Sequence, residues 1–251
     1  MCLTGALQAQ DHAQTQEYKF TVDNTNNGIV SLEGFSGDLT IEGYSGNEII
    51  FITKKDNYQV PERAKGLKPI YPGGVDNTGI GLSVEKIDNQ IQVTCLIPFT
   101  RSVDYTIKVP ENLNIKVNSG CQYTSDIKIS KMKNEVEVKT CHNINLSEVS
   151  GPLVLNSISG DITITFGTIN TTKPFSISSV SGDIDITLPS TIGADIEMQS
   201  VSGTMYSDFD FSDEKAMKKI GGNHLSYKLN GGGTKFKIVS VSSNIYLRKG
   251  K

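Results

Sequence analysis

The chain has 251 residues, a formal net charge of −3, 24 glycines and no tryptophan. A charge so near balance excludes the broad basic field of a nucleic-acid-binding protein. No stretch approaches the roughly 18 consecutive apolar residues of a membrane-spanning helix, and frequent Thr, Ser, Ile, Val and Gly favour strands and turns over helices.

The N-terminal segment MCLTGALQAQ is mildly apolar, lacks a basic start and carries Leu7-Gln8-Ala9 near its end. This pattern is typical of the tail of a cleaved secretory signal. We therefore expect residues 1–9 to be a signal-peptide remnant and residues 10–251 to be the mature domain. The protein is then expected to be secreted, periplasmic or on the cell surface; the alternative is a frayed terminus without such a role.

Residues 18–53 predict the first strands and the first corner, within EGFSGDLTI (Glu33–Ile41). Residues 54–79, the excursion, break the alternating pattern with three prolines and a Gly-Gly pair, and predict a long surface segment with one helical turn at Pro61–Lys65. Tyr and Arg are enriched at binding hot spots, so Tyr58, Arg63 and Tyr71 form the candidate interaction surface. A tolerated insertion without a binding role is the alternative.

From residue 80 the alternation returns, with strands predicted at 80–86, 90–97, 103–109 and 113–117. A repeated phrase follows as NSISGDITI, SSVSGDIDITLP and QSVSGTMYS, with glycines 22 and 21 residues apart at Gly160, Gly182 and Gly203. A fixed period with alternating apolar residues predicts stacked coils of two short strands each. In this register Ile184 and Ile186 point inward, and Asp185 and Thr187 point outward.

The repeated corners predict structural turns at Gly37, Asp38, Gly160, Asp161, Gly182, Asp183 and Gly203. We expect the glycine to supply a positive φ, and Ser and Asp to bond the exposed N–H groups of the corner. Asn143 is placed at the glycine position of a weaker copy, and Ser243 fits that position poorly. The alternative, calcium bound by stacked carboxylates, offers too few oxygens per coil.

The C-terminal part predicts a short helix at Asp213–Ile220, stopped by Gly221-Gly222, and final strands after Gly231–Gly233. Cys121 and Cys141 are 20 residues apart, which is close to one coil, so that they could stack and form a disulfide. The favoured interpretation is that they are two small buried hydrophobic residues.

No nucleophile, zinc-ligand or phosphate-loop pattern is present in the sequence, and no cofactor is expected. Asp183 and Asp185 are two residues apart on one strand and would both point outward. A glycosidase instead needs two carboxyl groups about 5–9 Å apart, one with its pKa raised by burial. A polysaccharide-active enzyme is therefore the least favoured alternative.

Three segments, VDYTIKVPENLNIKV (Val103–Val117), SVSGDIDITLP and LNGGGTKFKIVSVSSNIYLRKG (Leu229–Gly250), resemble the bacterial putative-adhesin family of secreted β-solenoid domains of unknown function. The resemblance covers residues 18–250 and implies an envelope or secreted protein, with no catalytic residues to carry over. The family usually has Gly-Asp where this chain has Ser243-Asn244.

These observations predict an all-β protein: a single β-solenoid of the parallel β-helix type, with irregular N-terminal strands and a surface excursion. The expected function is a non-enzymatic extracytoplasmic binding or adhesion module of a bacterial cell envelope. Its partner would be a protein or glycan at the cell surface, with no nucleic acid and no membrane span. The alternative is a structural or signalling partner in the envelope, bound through an open end of the solenoid or through the excursion.

Overall fold

The computed structural model describes residues 15–23, 25–26, 28–54, 61–67, 70–122, 126–169, 171–211, 217–219 and 222–250. Within them the chain forms 21 strands and one turn of 3-10 helix, and no described helix has the length and apolarity to cross a bilayer. The expected signal remnant at residues 1–9 and the side chain of Tyr58 lie outside the described residues.

The strands form two sheets. Sheet 1 contains, in spatial order, β1 (Thr15–Thr21), β4 (Glu48–Lys54), β7 (Tyr105–Pro110), β3 (Leu39–Tyr44), β9 (Ile127–Ser130), β11 (Ile144–Val149), β13 (Ile162–Phe166), β15 (Ile184–Pro189), β21 (Ile245–Gly250) and β17 (Met205–Ser207). Sheet 2 contains β18 (Met217–Lys219), β19 (Asn223–Leu229), β16 (Ala194–Ser200), β20 (Thr234–Ser240), β14 (Phe175–Ser179), β12 (Leu153–Ser157), β10 (Val136–Thr140), β8 (Asn114–Asn118), β2 (Ile29–Glu33), β6 (Gln90–Cys95) and β5 (Leu82–Ile87).

Each coil consists of one strand of sheet 2 followed by one strand of sheet 1, and neighbouring coils pair in parallel. Ile184 lies between Ile162 and Ile245 in register, and all three side chains are fully buried. Ile186 is equally buried, whereas Asp185 and Thr187 lie on the outer face. The predicted solenoid and the inward direction of Ile184 and Ile186 are confirmed.

The coils do not stack in the order of the sequence. The coil β2/β3 lies between β6/β7 and β8/β9, and the coil β20/β21 lies between β14/β15 and β16/β17. Only the middle of the stack, from β8 to β15, follows chain order. N-terminal and C-terminal coils are therefore inserted into the same stack as the repeated phrase.

Antiparallel strands extend the sheets beyond the first and last coils. β4 and then β1 continue sheet 1 beyond β7, and β5 continues sheet 2 beyond β6. At the other end β19 pairs antiparallel with β16, and β18 with β19. These antiparallel strands lie at the ends of the stack, where the alternative function placed a docking site.

The predicted helix at Asp213–Ile220 is wrong where the structure describes it. Met217–Lys219 is the strand β18, paired with β19 over Asn223–Leu225; the remainder of the predicted helix lies outside the described residues. Pairing with an existing sheet supplies backbone hydrogen bonds that an isolated helix of about eight residues would have to find alone, and such short helices are marginal in water.

The repeat glycines do not supply a positive φ, which corrects the expectation for Gly37, Gly160, Gly182 and Gly203. A Cβ on Gly182 would lie 2.0 Å from the carbonyl oxygen of Gly160 in the next coil, and a Cβ on Gly203 would lie 2.0 Å from that of Ser243. A Cβ on Gly160 and one on Gly37 would lie 2.0 and 2.4 Å from backbone atoms of His142 and Val103. Glycine is needed because coils approach each other at this corner more closely than a side chain permits.

A serine does bond a corner N–H group, but it is the buried serine three residues before the glycine position and not the serine of Ser-Gly-Asp. The Oγ atoms of Ser157, Ser179 and Ser200 accept the N–H groups of Gly160, Gly182 and Gly203 at 2.9–3.0 Å. Ser240 does the same for Ser243 at 3.0 Å. Each corner thus satisfies an N–H that would otherwise be buried without a partner.

The aspartates form a ladder along the edge where sheet 1 begins. Asp161 Oδ1 accepts the N–H of Asp183 at 2.8 Å, Asp183 Oδ1 accepts that of Asn244 at 2.9 Å, and Asn244 Oδ1 accepts that of Thr204 at 3.0 Å. Asp38 occupies the same position two coils before Asn143, and its Oδ1 faces the N–H of Asp126 at 3.3 Å. Backbone bonding therefore accounts for these carboxylates, and the described residues contain no cluster of metal-ligating side chains.

Asn143 belongs to this ladder and does not occupy the glycine position. Thr140 pairs with Ser157 and Ile144 with Ile162, so this corner is one residue shorter than the next. Asn143 Oδ1 accepts the N–H of Asp161 at 2.9 Å. The assignment of Asn143 as a substitute for a left-handed glycine is therefore wrong.

Cys121 and Cys141 form a disulfide with a Cα–Cα distance of 5.1 Å, which corrects their interpretation as two unpaired hydrophobic residues. They follow β8 and β10, which are neighbours in sheet 2. The corners after these strands are held together by the bond from Ser119 N–H to Lys139 O at 2.8 Å. One coil of separation in sequence thus becomes direct contact in space.

Candidate interaction surfaces

Side chains fill the interior between the two sheets. Phe175 and Phe236 stack with their ring centroids 4.4 Å apart, and Phe166 contacts both edge-to-face at 5.2 and 5.9 Å. Such close packing leaves no room for a ligand between these side chains, unlike the open interior of a barrel or a cleft. The candidate interaction surfaces therefore lie on the outside of the two sheets.

The buried thiol of Cys95 does not have the environment of a catalytic nucleophile. Burial raises the pKa of the Cys95 thiol to about 11, so the reactive thiolate is scarce at neutral pH. Asp185, an outward carboxylate that we compared with a glycosidase acid, accepts two hydrogen bonds from Arg248 at 2.7 and 2.8 Å. Neither group is presented for acid, base or nucleophilic chemistry.

The excursion contains exposed apolar side chains next to one of its predicted contact residues. Arg63 is exposed on the 3-10 helix Glu62–Ala64, which confirms the predicted helical turn. Tyr71 is half-buried and forms a bridge with Gly74. Leu67, Ile70 and Val75 are 69%, 96% and 71% exposed. Tyr and Arg were predicted as contact residues here, and the exposed aliphatic residues were not.

The last part of the excursion has a structural role. The Asp76 carboxylate accepts the N–H groups of Gly79 and Gly81 at 2.8 and 3.0 Å. The Asn77 side chain donates to Val84 O at 2.8 Å and accepts Val84 N–H at 2.9 Å. Asn77 thus covers backbone groups of the edge strand β5, and the Asp-Asn-Thr-Gly sequence was the available signal for this tight turn.

An apolar ridge follows one corner of the stack. It consists of one residue from each of four neighbouring coils, in the spatial order Ile158, Val180, Val241 and Val201, and we call it the corner ridge. The N–H groups of Val180, Val241 and Val201 each bond the carbonyl of the serine that ends the neighbouring strand of sheet 2, at 3.2–3.3 Å. These four side chains are 40–52% exposed.

In the sequence, the corner-ridge residues are part of the repeated phrase. Its residues occupy the second position of Ser-Val-Ser-Gly, between a buried serine and an exposed one. Neighbouring strands are about 4.8 Å apart, so four coils place four branched apolar side chains in a row about 14 Å long. A solvated corner needs no such residues, since Ser or Asn would serve its backbone equally well.

An aromatic pair lies on the outer face of sheet 1 near β17. Tyr206 and Tyr246 stack with centroids 5.2 Å apart and planes 10° from parallel, and the Arg248 guanidinium lies 5.5 Å from the Tyr246 ring. Tyr44 lies at the end of β3, and its hydroxyl donates to Glu48 O at 2.8 Å in the connection to β4. Tyr44 therefore has a structural role.

A groove of about 870 Å³ crosses the outer face of sheet 2. Lys235 lies opposite Asp195, which lies opposite Lys228, and Lys237 lies opposite Glu197. Opposite charges across neighbouring strands stabilise a sheet. This alternation of charge does not favour a ligand of one charge.

Comparison with known proteins finds one matching family model and several solved structures of low sequence identity. The Toastrack DUF4097 family matches residues 71–248, and no curated protein matches the chain. A putative cell adhesion protein from Clostridium sporogenes is similar at 14% identity and a TM-score of 0.48, covering 94% of this chain and 100% of that one. A putative adhesin from Bacteroides fragilis is similar at 13% identity and a TM-score of 0.45, covering 94% and 97%.

Proposed function

This chain belongs to the Toastrack DUF4097 family, and from that premise we propose that it is a non-enzymatic binding module of a bacterial cell envelope. It acts outside the cytoplasm and binds a protein or glycan at the cell surface. The corner ridge is the observation that carries this proposal, because it presents a row of exposed apolar side chains on a hydrogen-bonded scaffold.

The scaffold explains how so small a surface can bind. The backbone of each ridge residue is held by bonds to its neighbouring coil, so binding orders little that is not already ordered. Pre-organisation of this kind lowers the entropic cost of association. Val and Ile also have few side-chain rotamers to lose.

The disulfide supports a location outside the cytoplasm. Structural disulfides persist in oxidising compartments and are rare where glutathione and thioredoxin keep thiols reduced. Cys121 and Cys141 are bonded, and this agrees with the signal remnant expected at residues 1–9. Cell fractionation of the full-length gene product tests this point: a mature chain starting near Gln10 supports it, and cytosolic protein retaining Met1 contradicts it.

The excursion is the second candidate for the binding surface, through Tyr58, Arg63 and Tyr71. Its exposed Leu67, Ile70 and Val75 favour contact with a partner. The bonds of Asp76 and Asn77 to backbone near β5 limit the removable part to residues before 75. Deletion of Asn57–Gly74 with a short Gly-Ser closure is thus expected to leave the solenoid folded.

Binding to a printed glycan array and to purified bacterial sacculi separates the two surfaces. The quadruple variant Ile158→Ser/Val180→Ser/Val201→Ser/Val241→Ser should bind at least tenfold more weakly than the parent. The excursion deletion should bind as strongly as the parent. The matched control is the triple variant Thr163→Ser/Thr165→Ser/Thr187→Ser, whose residues lie on the outer strand face. Loss only in the deletion would assign binding to the excursion, and turnover of a glycan would contradict a non-enzymatic role.

A further inference from the structure

The four sheet edges are protected to different degrees. The edge of β5 is covered by the Asn77 bonds to Val84 and by Thr78, whose hydroxyl donates to Leu82 O at 3.1 Å and accepts Leu82 N–H at 3.3 Å. The edge strands β17 and β18 have three residues each. Short or covered edges are the usual protection against pairing with another chain.

The edge strand β1 has neither protection among the described residues. It spans seven residues, Thr15–Thr21, and its register with β4 is unbroken from Thr15 opposite Lys54 to Thr21 opposite Glu48. It contains no proline, glycine or bulge that would interrupt a ladder. Its outer edge is about 24 Å long at the usual rise per residue.

The sequence of β1, TQEYKFT, is complementary to itself when read backwards. With Tyr18 opposite Tyr18 of a second copy, Glu17 lies opposite Lys19, Gln16 opposite Phe20 and Thr15 opposite Thr21. Glu17 and Lys19 are exposed on the outer face, and their side chains already approach within 3.0 Å in one chain. Opposite charges directly across two strands are favourable, and like charges are unfavourable.

We propose that two copies of this chain pair through β1, antiparallel about a two-fold axis at Tyr18, so that sheet 1 continues from one copy into the other. The register follows from the charges and the pleat. A shift by one residue puts side chains on the wrong face. A shift of the axis to Glu17 or Lys19 places like charges opposite each other and shortens the overlap.

The second copy also covers apolar surface that one chain leaves open. Tyr18 and Phe20 pack against the core on the inner face of β1 but remain only half-buried, with Tyr18 6.1 Å from the Phe51 ring. Pairing sets the Tyr18 rings of the two copies side by side, a favourable aromatic cross-strand contact. A pair would also carry two corner ridges, which raises avidity for a surface with many binding sites.

Sedimentation equilibrium of the full chain and its charge variants tests the proposal. We expect the parent to reach twice the 27.2 kDa of one chain. Glu17→Lys and Lys19→Glu should each weaken the homodimer at least tenfold, because four like charges then face each other across the axis. The double variant Glu17→Lys/Lys19→Glu should restore it.

The decisive experiment mixes the Glu17→Lys variant with the Lys19→Glu variant. One strand then carries two lysines and the other two glutamates, so a heterodimer forms from chains that each remain monomeric alone. Circular dichroism spectra of all variants should match that of the parent, since both positions are exposed. Melting temperatures should match at concentrations low enough for every protein to be monomeric, because association itself raises the melting temperature. A monomeric parent at several hundred micromolar would overturn the proposal. So would a dimer indifferent to the single variants and to their mixing.

Discussion

In the middle of the stack, from β8 to β15, each coil lies on the coil that precedes it in sequence, whereas at both ends sequence order and spatial order diverge. The middle is held by repeated devices: buried serines, close-packed glycines and the Asp and Asn ladder. The end coils use the same devices, as at Gly203, Ser243 and Asn244, but the ends also contain inserted coils and antiparallel strands. The repeat therefore builds a coil but does not decide which coil lies next to it.

Contacts outside the repeat decide the order at the C-terminal end. The Asn230 amide donates to the carbonyls of Ser190 and Ile192 at 3.2 and 2.9 Å, which joins the turn before β20 to the turn before β16. Gly193 permits a close approach there, since its Cβ would lie 2.6 Å from Gly232 O. These contacts hold β16 beside β20, and β20 then fills the position next to β14.

A charge in the middle of the stack should have the largest effect. Ile184→Asp places a carboxylate between the side chains of Ile162 and Ile245 without a partner, and should lower the free energy of unfolding by roughly 4 kcal/mol or prevent folding. Thr165→Asp, on the outer face of the neighbouring strand, should change it by less than about 0.5 kcal/mol. Urea unfolding measures both, and equal losses would contradict the inward register.

Removal of the disulfide should have the next largest effect. The bond closes a loop with a sequence separation of 20 residues, so Cys121→Ser/Cys141→Ser should cost about 3 kcal/mol. In the presence of reductant, the parent should unfold at the same urea concentration as the double-serine variant does in the absence of reductant. A parent that is unaffected by reductant would show that the two thiols are not joined.

Substitutions at glycine corners distinguish two reasons for a glycine: close packing between coils and a positive φ. Gly182→Ala should cost about 2 kcal/mol by overpacking against Gly160, and Gly182→Asn should cost at least as much. Gly231, which has a φ of +88° and no atom within 4 Å of a Cβ, is the matched control. Gly231→Asn should cost about 1 kcal/mol or less. A loss as small as this for Gly182→Asn would restore the positive-φ explanation.

The smallest effect is expected in the ladder. Asp183→Ala leaves the N–H of Asn244 without its acceptor and should cost about 1 kcal/mol. Asp183→Asn keeps an acceptor oxygen, as Asn143 and Asn244 do at the same position, and should be nearly neutral. Thermal unfolding of the two variants side by side checks this, and equal melting points would show that the ladder adds no stability.

The sequence predicted the coil well because period and alternation are local signals. Ile184, Ile186 and the Ser-Gly-Asp corners follow from spacing alone. The φ of Gly182 was misjudged because close approach between coils depends on a neighbour 22 residues away. The position of Asn143 was misjudged because one corner is a residue shorter, and only the strand register shows where the gap falls.

The candidate surfaces were less predictable than the coil. Val180 and Val201 are apolar positions of the repeated phrase, and their exposure became visible only once the coils were stacked. The self-complementarity of β1 also has no meaning until β1 is known to be an edge. The disulfide required the information that β8 and β10 are neighbours.

The most direct test of the stacking order is a pair of engineered disulfides on the outer face of sheet 2. Ser178 lies opposite Val239, and Val239 lies opposite Gln199. A residue pair on neighbouring strands is about 4.8 Å apart, within the Cα range of a disulfide, whereas a pair two strands apart is about 10 Å apart and outside it. Peptide mapping by mass spectrometry should find the bond in Ser178→Cys/Val239→Cys and not in Ser178→Cys/Gln199→Cys. A bond in the second variant and none in the first would mean that the coils stack in sequence order and that β20 is not inserted beside β14.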